Sequence, residues 1–596
     1  MSSTDDDKSR AVLLIELAQE LCDVHLDQHG TPFAWIKNPG RVLMLRGREF
    51  HSYLLNHFYT KYGEACGSEA LGAALGVLGA RAYERPRVEL SVRAKSDDSS
   101  ILIDTADDTE RAIQITPGGW AVVPLDRPIF RRFSHMLPFV PPAEARRRPD
   151  EKSVSKLISM FKLKDPADEI LLAAALGTAF ISHIPRPIVI LHGRQGGTKT
   201  SLAAAVRGVI DPSSLPTLSL PWRTDEVVQA LAHHYLAPFD NVQKLGAAVL
   251  DTLCRACTGD GVTKRALYTD EDDVIHAYRR SMWLTAVNLP GARPDFVDRT
   301  LPIEMTRVAL TDRKEEAEVQ REVRRLLPGV IREVLDALSV TLRTVQGVRL
   351  ELKELPRMAD FAVWGEAFAR ALGYEPNVFM KRYLANIKDA STAALESDVV
   401  GDLVMRLLTG SGSLDGVGRF EGTADDLLRA IREINDTLKL VKPEELPGRA
   451  RELSAALKVL EVSLEDEGWR VTRSREPHTG KRLITIEQDP VVRAESGGAP
   501  QTPSPSSPAS PEPHETGEPT GDADDDAPST IVTPSSPDSK DHETDGRVTG
   551  DDGDAECATS PMPYHCPEHG LATDSPAVLS AHLDRFHRTL PEGAHP

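Results

Sequence analysis

Between positions 193 and 201 the chain carries Gly193, Gly196, Gly197, Thr198, Lys199, Thr200 and Ser201. These residue types, spaced this way, bind phosphate. Glycines let backbone N–H groups converge on an anion, and the positive end of a following helix faces the same point. Lys199 would reach the β and γ phosphates of a bound ATP, and the Thr200 hydroxyl would hold Mg²⁺. Gly193, Lys199 and Thr200 keep the spacing of G-x-x-x-x-G-K-[ST], but Thr198 stands where the last glycine belongs. Gly196 and Gly197 can absorb that turn. The plainer alternative is a glycine-rich strand–helix turn with an incidental Lys-Thr.

Phosphate chemistry needs a strand before the loop, a helix after it, and a carboxylate nearby. The apolar run Ile188–Leu191 supplies the strand, and the stretch from Ser201 to Val209 reads as the helix. A short strand at Thr217–Leu220 and a helix from Asp225 to Ala232 follow. Tyr235–Asn241 is then an apolar strand ending in Asp240, whose carboxylate suits Mg²⁺; the alternative is an ordinary strand-end aspartate. Further on, runs at Val262–Tyr268 and Val274–Tyr278, separated by the acidic stretch from Asp270 to Asp273, read as a charged hairpin. Met282–Asn288 reads as a buried strand ending in Asn288, and Asp298-Arg299 precedes a last strand, Leu301–Met305.

That order (phosphate loop, strand ending Asp240-Asn241, charged hairpin, strand ending Asn288, then Asp298-Arg299) resembles the superfamily 3 helicase branch of AAA+ ATPases. It is most similar to the primase-helicase ATPases of phages, plasmids and integrative elements in a high-GC bacterial version. The resemblance covers about residues 150–490. It implies a P-loop NTPase core in which Asn288 positions the attacking water or senses the γ-phosphate. It also implies that Arg299 acts on the neighbouring subunit's nucleotide, which requires a homo-oligomeric ring, expected to be a hexamer. The hairpin would line the pore and touch DNA through Lys264, Arg265 and His276. Asn241 departs from the family, where many relatives carry a second carboxylate. Arg299 could instead pair with Asp298 or Asp295, and Lys264 and Arg265 could be a solvated face.

The whole chain of 596 residues is too long for one core. We divide it into a disordered start (1–10), an N-terminal α+β domain (11–145), the α/β ATPase core (150–312), a helical segment (313–394) and a winged helix (395–489). A Pro/Ser-rich acidic linker (490–556) and a Cys/His tail (557–596) complete it. The N-terminal domain reads as a helix from Ala11 to Cys22, strands near 33–36 and 42–45, two helices, and strands beginning with Val88–Val92. It holds no paired carboxylates or Cys/His cluster. The Cys254-x-x-Cys257 pair has no second pair nearby and reads as incidental.

In the winged helix, Arg449, Arg451, Lys458, Arg470, Arg473, Arg475, Lys481 and Arg482 form a basic set suited to duplex DNA, the helix in the major groove and the wing on phosphates. Many winged helices bind protein instead. Between Glu495 and Glu556 sixteen acidic residues face two basic ones, a net of −14 out of the chain's −20, so the overall charge does not exclude DNA. That linker has too little apolar content to fold. In the tail, Cys566, His569, His582 and His587 keep zinc-finger spacing, and so short a unit needs Zn²⁺ to fold; the alternative is chance spacing in a His-rich tail.

With no apolar run long enough to span a bilayer and no signal peptide, the chain is expected to be soluble and cytoplasmic. These features together describe an ATP-dependent, ring-forming helicase or translocase acting on single-stranded or forked DNA in replication of a mobile element, with room for a primase partner. Two alternatives stay open: a nucleotide-gated DNA-binding regulator without unwinding, and a scaffold with an inactive nucleotide site.

Overall fold

The computed structural model describes residues 9–38, 40–139, 152–259, 262–265, 273–276, 279–290, 293–411, 414–476, 480–489, 564–565 and 572–573. Its centre is a five-stranded, all-parallel sheet: β1 (Ile188–His192), β2 (Leu218–Ser219), β3 (Leu236–Asp240), β4 (Ser281–Thr285) and β5 (Thr300–Glu304). The order across the sheet is β5-β1-β4-β3-β2. Strand β4 is therefore inserted between β1 and β3. Parallel strands must be covered on both faces, which is why Ile188–Leu191, Leu236–Phe239 and Ser281–Thr285 are buried without alternation.

Helices α1 (Lys199–Ile210), α2 (Thr224–His233) and α3 (Ala247–Thr258) connect the strands. The apolar helix Glu169–Thr178 is buried from Ile170 to its end within the same core. The long helix α4 (Glu316–Glu351) carries one apolar face into that core, from Val323 to Val348, and keeps Pro328 inside it. No helix among the described residues is long and apolar enough to cross a membrane.

The N-terminal region holds two small antiparallel sheets. The first contains strands Cys22–Leu26, Pro32–Ile36 and Arg41–Met44, and the second has four strands between Ala94 and Pro124. The expected strand at Val88–Val92 does not form. Only isolated bridges occur there, Asp27 with Val88 and Ser91 with Phe130, because this stretch crosses between the two sheets instead of joining either. It ends at Arg93, whose φ of 60° breaks an extended run.

Arg93 is the staple between this region and the parallel-sheet core. Fully buried, it donates to Asp211 Oδ1 at 2.9 Å, just past the end of α1, and to the carbonyls of Asp104, Leu137 and Pro212. In the last turn of α1, Arg207 donates to His234 Nδ1 at 2.8 Å. Burial pushes Arg207 down to about 10 and His234 down to about 3. The far end of the loop-bearing helix is thus anchored by polar contacts buried away from water.

Residues 399–489 fold as three helices, Val399–Thr409, Ala424–Leu438 and Ala450–Asp466, with a three-stranded antiparallel sheet in the order Arg419–Gly422, Arg482–Gln488, Trp469–Arg475. A capping box at Thr423 and Asp426 starts the second helix. The strand Arg419–Gly422 is not expected from the sequence, since a four-residue run, Arg-Phe-Glu-Gly, ending in glycine gives too short an alternation. Far along the chain, Tyr564–His565 pairs antiparallel with Ala572–Thr573.

His234 carries a testable consequence. Its folded value lies below that of the unfolded chain, about 6.5, so the unfolded chain binds a proton that the fold refuses. Stability should be lost as pH falls below about 6.5 and go on falling toward 3. Urea midpoints at pH 7 and pH 5 should differ more in the parent than in His234→Asn; an equal difference in both would remove His234 from the account.

Candidate nucleotide site at the strand ends

The glycine-rich loop leaves the C-terminal end of β1, the edge where open parallel sheets bind ligands. Gly193 (φ 133°) and Gly196 (φ 83°) occupy conformations open to glycine. A Cβ on Gly193 would lie 2.3 Å from the Met305 carbonyl oxygen, so only glycine fits there. Thr198 takes the left-handed conformation (φ 56°, ψ 20°) at the start of α1. A β-branched residue is strained in that region. The backbone thus adopts the glycine-like turn even though the residue is threonine, and the buried Thr198 Oγ1 has no hydrogen-bond partner among the described residues.

Lys199 folds over the loop, its Nζ donating to the carbonyls of Gly193 at 2.8 Å and Arg194 at 3.0 Å. Burial lowers its pKa, opposed by the Asp240 carboxylate. Thr200 Oγ1 donates to Asp240 Oδ1 at 2.8 Å. This hydrogen bond joins the end of β3 to the first turn of α1, and Ser201 follows in the same turn. A hydroxyl and a carboxylate side by side are the hard oxygen donors that Mg²⁺ prefers. Together with the lysine, the glycine-rich loop and the helix N-terminus, they fit a magnesium-bound triphosphate.

Thr285, which sequence reasoning passed over, holds this corner together. Buried at the end of β4, its hydroxyl donates to Asp240 Oδ1 at 2.5 Å and accepts from the Asn241 backbone N–H at 2.8 Å. A threonine at the end of a strand has no spacing signature, so only the strand order reveals it. Asn241 has φ 54°. Asparagine is among the few non-glycine residues that tolerate that conformation.

Asn288 is exposed, three residues past β4, at the same edge of the sheet. Its neighbour Val287 accepts a hydrogen bond from the Gly193 N–H at 3.1 Å, so the backbone carries Asn288 to the mouth of the loop. Arg299 lies elsewhere. Its carbonyl accepts from Ile188 N–H at 2.8 Å, at the opposite end of β1, roughly 15 Å along a five-residue strand. Its side chain is half-buried and donates to the Asp295 carbonyl at 2.5 Å, while Asp298 pairs with Arg357 at 3.2 Å. Arg299 therefore cannot reach the loop of its own chain. Cys254 and Cys257 are buried, with burial pushing their thiols up to about 11 and about 12, and no cluster of three or more His, Cys, Asp or Glu side chains placed to hold a metal occurs around them among the described residues.

Lys264 and Arg265 lie on the strand Val262–Arg265, paired antiparallel with Asp273–His276 in the expected hairpin, and His276 ends its second strand. In the winged-helix-like region, Arg473 bonds to Glu461 and Arg470 to Asp489 at 2.7 Å. Arg475 lies directly across from Arg482 at the tip of the hairpin, next to Lys481. Like charges opposite one another cost stability, so an anionic contact would favour this tip. The helix Ala450–Asp466 is less basic than expected, since its exposed residues include Glu452, Glu465, Val459 and Val462 beside Arg451 and Lys458. The residues Cys566, His569, His582 and His587 lie outside the described residues.

Residues 154–390 match the family model described as actinomycete integrative conjugative element replication protein, and residues 400–504 match that of the AICE RepA C-terminal domain. The matched family is one of mobile-element replication proteins. No curated protein matches the chain. Among solved structures it is similar to the apo C-terminal region (305–718) of NrS-1, at 12% identity over 81% of this chain and 100% of that one, with a TM-score of 0.35. It is also similar to JCV Helicase bound to a substituted acetamide, at 16% identity over 40% of this chain and 64% of that one, with a TM-score of 0.22.

Replacing Thr285 by valine keeps its shape but removes both hydrogen bonds. The Thr285→Val variant should lose about 1–3 kcal/mol of stability and about tenfold or more in magnesium-dependent ATP turnover. Parent-like turnover by the folded variant would show that Thr285 does not hold the Asp240 corner.

Proposed function

We propose that the chain is an ATP-dependent motor acting on DNA during replication of a mobile element. The observation that carries this reading is the Thr200–Asp240 hydrogen bond at the mouth of a glycine-rich loop, on the edge where β4 separates the strand leading into that loop from the strand bearing Asp240. The matched replication-protein family supports the biological setting.

In this reading Lys199 and the loop N–H groups hold the terminal phosphates, and Thr200 and Asp240 hold Mg²⁺. The metal's chemistry is to screen charge that builds on the phosphoryl oxygens. Asn288, exposed at the loop mouth, orients the attacking water. Arg299, at the opposite edge of the sheet, serves a neighbouring subunit's nucleotide, which a closed homo-oligomeric ring, taken as a hexamer, would provide. The hairpin bearing Lys264 and Arg265 contacts single-stranded or forked DNA, and the tip with Arg475, Lys481 and Arg482 adds phosphate contacts. A separate primase is the partner this reading accommodates.

A second reading, a nucleotide-gated DNA-binding regulator, is favoured by the engagement of Arg299 with the Asp295 carbonyl. Strand displacement on a forked duplex separates the two. The full chain should hydrolyse ATP faster with single-stranded DNA and unwind the fork, while Lys199→Ala should do neither, losing at least about a hundredfold in turnover. Slow turnover indifferent to DNA, with no unwinding, would establish the regulator instead.

For the tail, we propose Zn²⁺ on Cys566, His569, His582 and His587. Metal analysis of the purified full chain should find about one zinc per chain, and Cys566→Ser should abolish it. Equal zinc in both proteins would rule this assignment out.

A further inference from the structure

We propose that Arg307 and Arg313 form a clamp, acting within the same subunit, on the polyphosphate bound at the glycine-rich loop. This rests on the nucleotide reading given above and extends it to residues that no motif marks.

After β5 the chain does not leave the site but runs across the loop. Following the Met305 contact with Gly193, the Thr306 carbonyl oxygen lies 3.2 Å from where a Cβ on Gly197 would stand. Val308 N–H then donates to the Gly196 carbonyl at 3.2 Å, tying the crossing segment to the loop backbone. On its outer side the segment is held by Lys162. The Thr306 N–H donates to the Lys162 carbonyl at 3.0 Å, and the Lys162 ammonium pairs with Asp312 at 2.9 Å. Residues 306–312 therefore form a braced strap and not a free linker.

The strap presents two guanidinium groups to the loop. A Cβ on Gly196 would lie 2.9 Å from Arg313 Nη2, 3.6 Å from Arg307 Cγ and 3.8 Å from Arg307 Nε. Both arginines are exposed, and among the described residues neither forms an ion pair or a side-chain hydrogen bond. The nearby carboxylates are already paired with lysines, Asp312 with Lys162 and Glu304 with Lys164 at 2.7 Å. Two uncommitted guanidinium groups packed on a helix N-terminal loop that already holds a lysine repel one another and the helix end. A polyanion relieves that repulsion, and guanidinium is suited to bidentate contact with phosphate oxygens.

Equilibrium binding of a fluorescent ATP analogue with Mg²⁺ to the full chain tests this. Arg307→Ala/Arg313→Ala should weaken binding by about tenfold or more with the thermal midpoint unchanged, and Arg307→Lys/Arg313→Lys should recover part of the loss. Binding within about twofold of the parent would overturn the clamp, as would an equal loss in both double variants accompanied by a fall in melting temperature. Lys199→Ala separates the two levels of the argument. If the parent binds no better than Lys199→Ala, the nucleotide reading fails and the clamp with it; if only the alanine pair behaves like the parent, the clamp alone fails.

Discussion

The hydrogen bond between Thr200 and Asp240 is the constraint on which the remaining architecture depends. It joins two groups forty residues apart in sequence, one at the start of a helix and one at the end of a strand. Such a contact requires β3 to end level with the loop, which in turn requires β4 to fill the gap between β1 and β3. Thr285, at the end of that inserted strand, completes the corner by bonding to Asp240 and to the Asn241 backbone. The sheet order is thus what brings Thr200, Asp240 and Thr285 into one corner at the mouth of the loop.

Support for that corner comes from the far end of α1. The helix begins at the loop and ends at the seam with the N-terminal region, where Arg93 and Asp211 are wholly buried against each other. Breaking such a pair leaves an uncompensated charge in a low-dielectric setting, at a cost of about 3–5 kcal/mol. The N-terminal sheets therefore fix the axis of the helix whose first turn carries Lys199 and Thr200. Their contribution to that corner is positional, since among the described residues none of theirs hydrogen-bonds to Thr200, Asp240 or Thr285.

Much of the centre was legible in the chain because its signals are strong. A buried parallel strand is a short apolar run, and Ile188–Leu191 and Met282–Leu284 are such runs; the glycines and Lys199-Thr200 mark the turn between strand and helix. Thr285 and the arginines of the 306–313 strap were not legible, since their roles come from strand order and from a crossing that no local pattern encodes. Val88–Val92 shows the opposite failure. It has the composition of a strand, yet the chain needs those residues to bridge two sheets, and tertiary demand overrode propensity. The helix Ala450–Asp466 likewise exposes Val459 and Val462, which a count of basic residues overlooks.

The most direct measurement is a crystal structure of the full chain with Mg²⁺ and a non-hydrolysable ATP analogue. The account predicts the metal about 2.1 Å from Thr200 Oγ1, next to Asp240. It also predicts that Lys199 Nζ leaves the Gly193 and Arg194 carbonyls for the terminal phosphate. A nucleotide bound elsewhere, with Lys199 still on those carbonyls and the direct Thr200–Asp240 hydrogen bond intact, would contradict it.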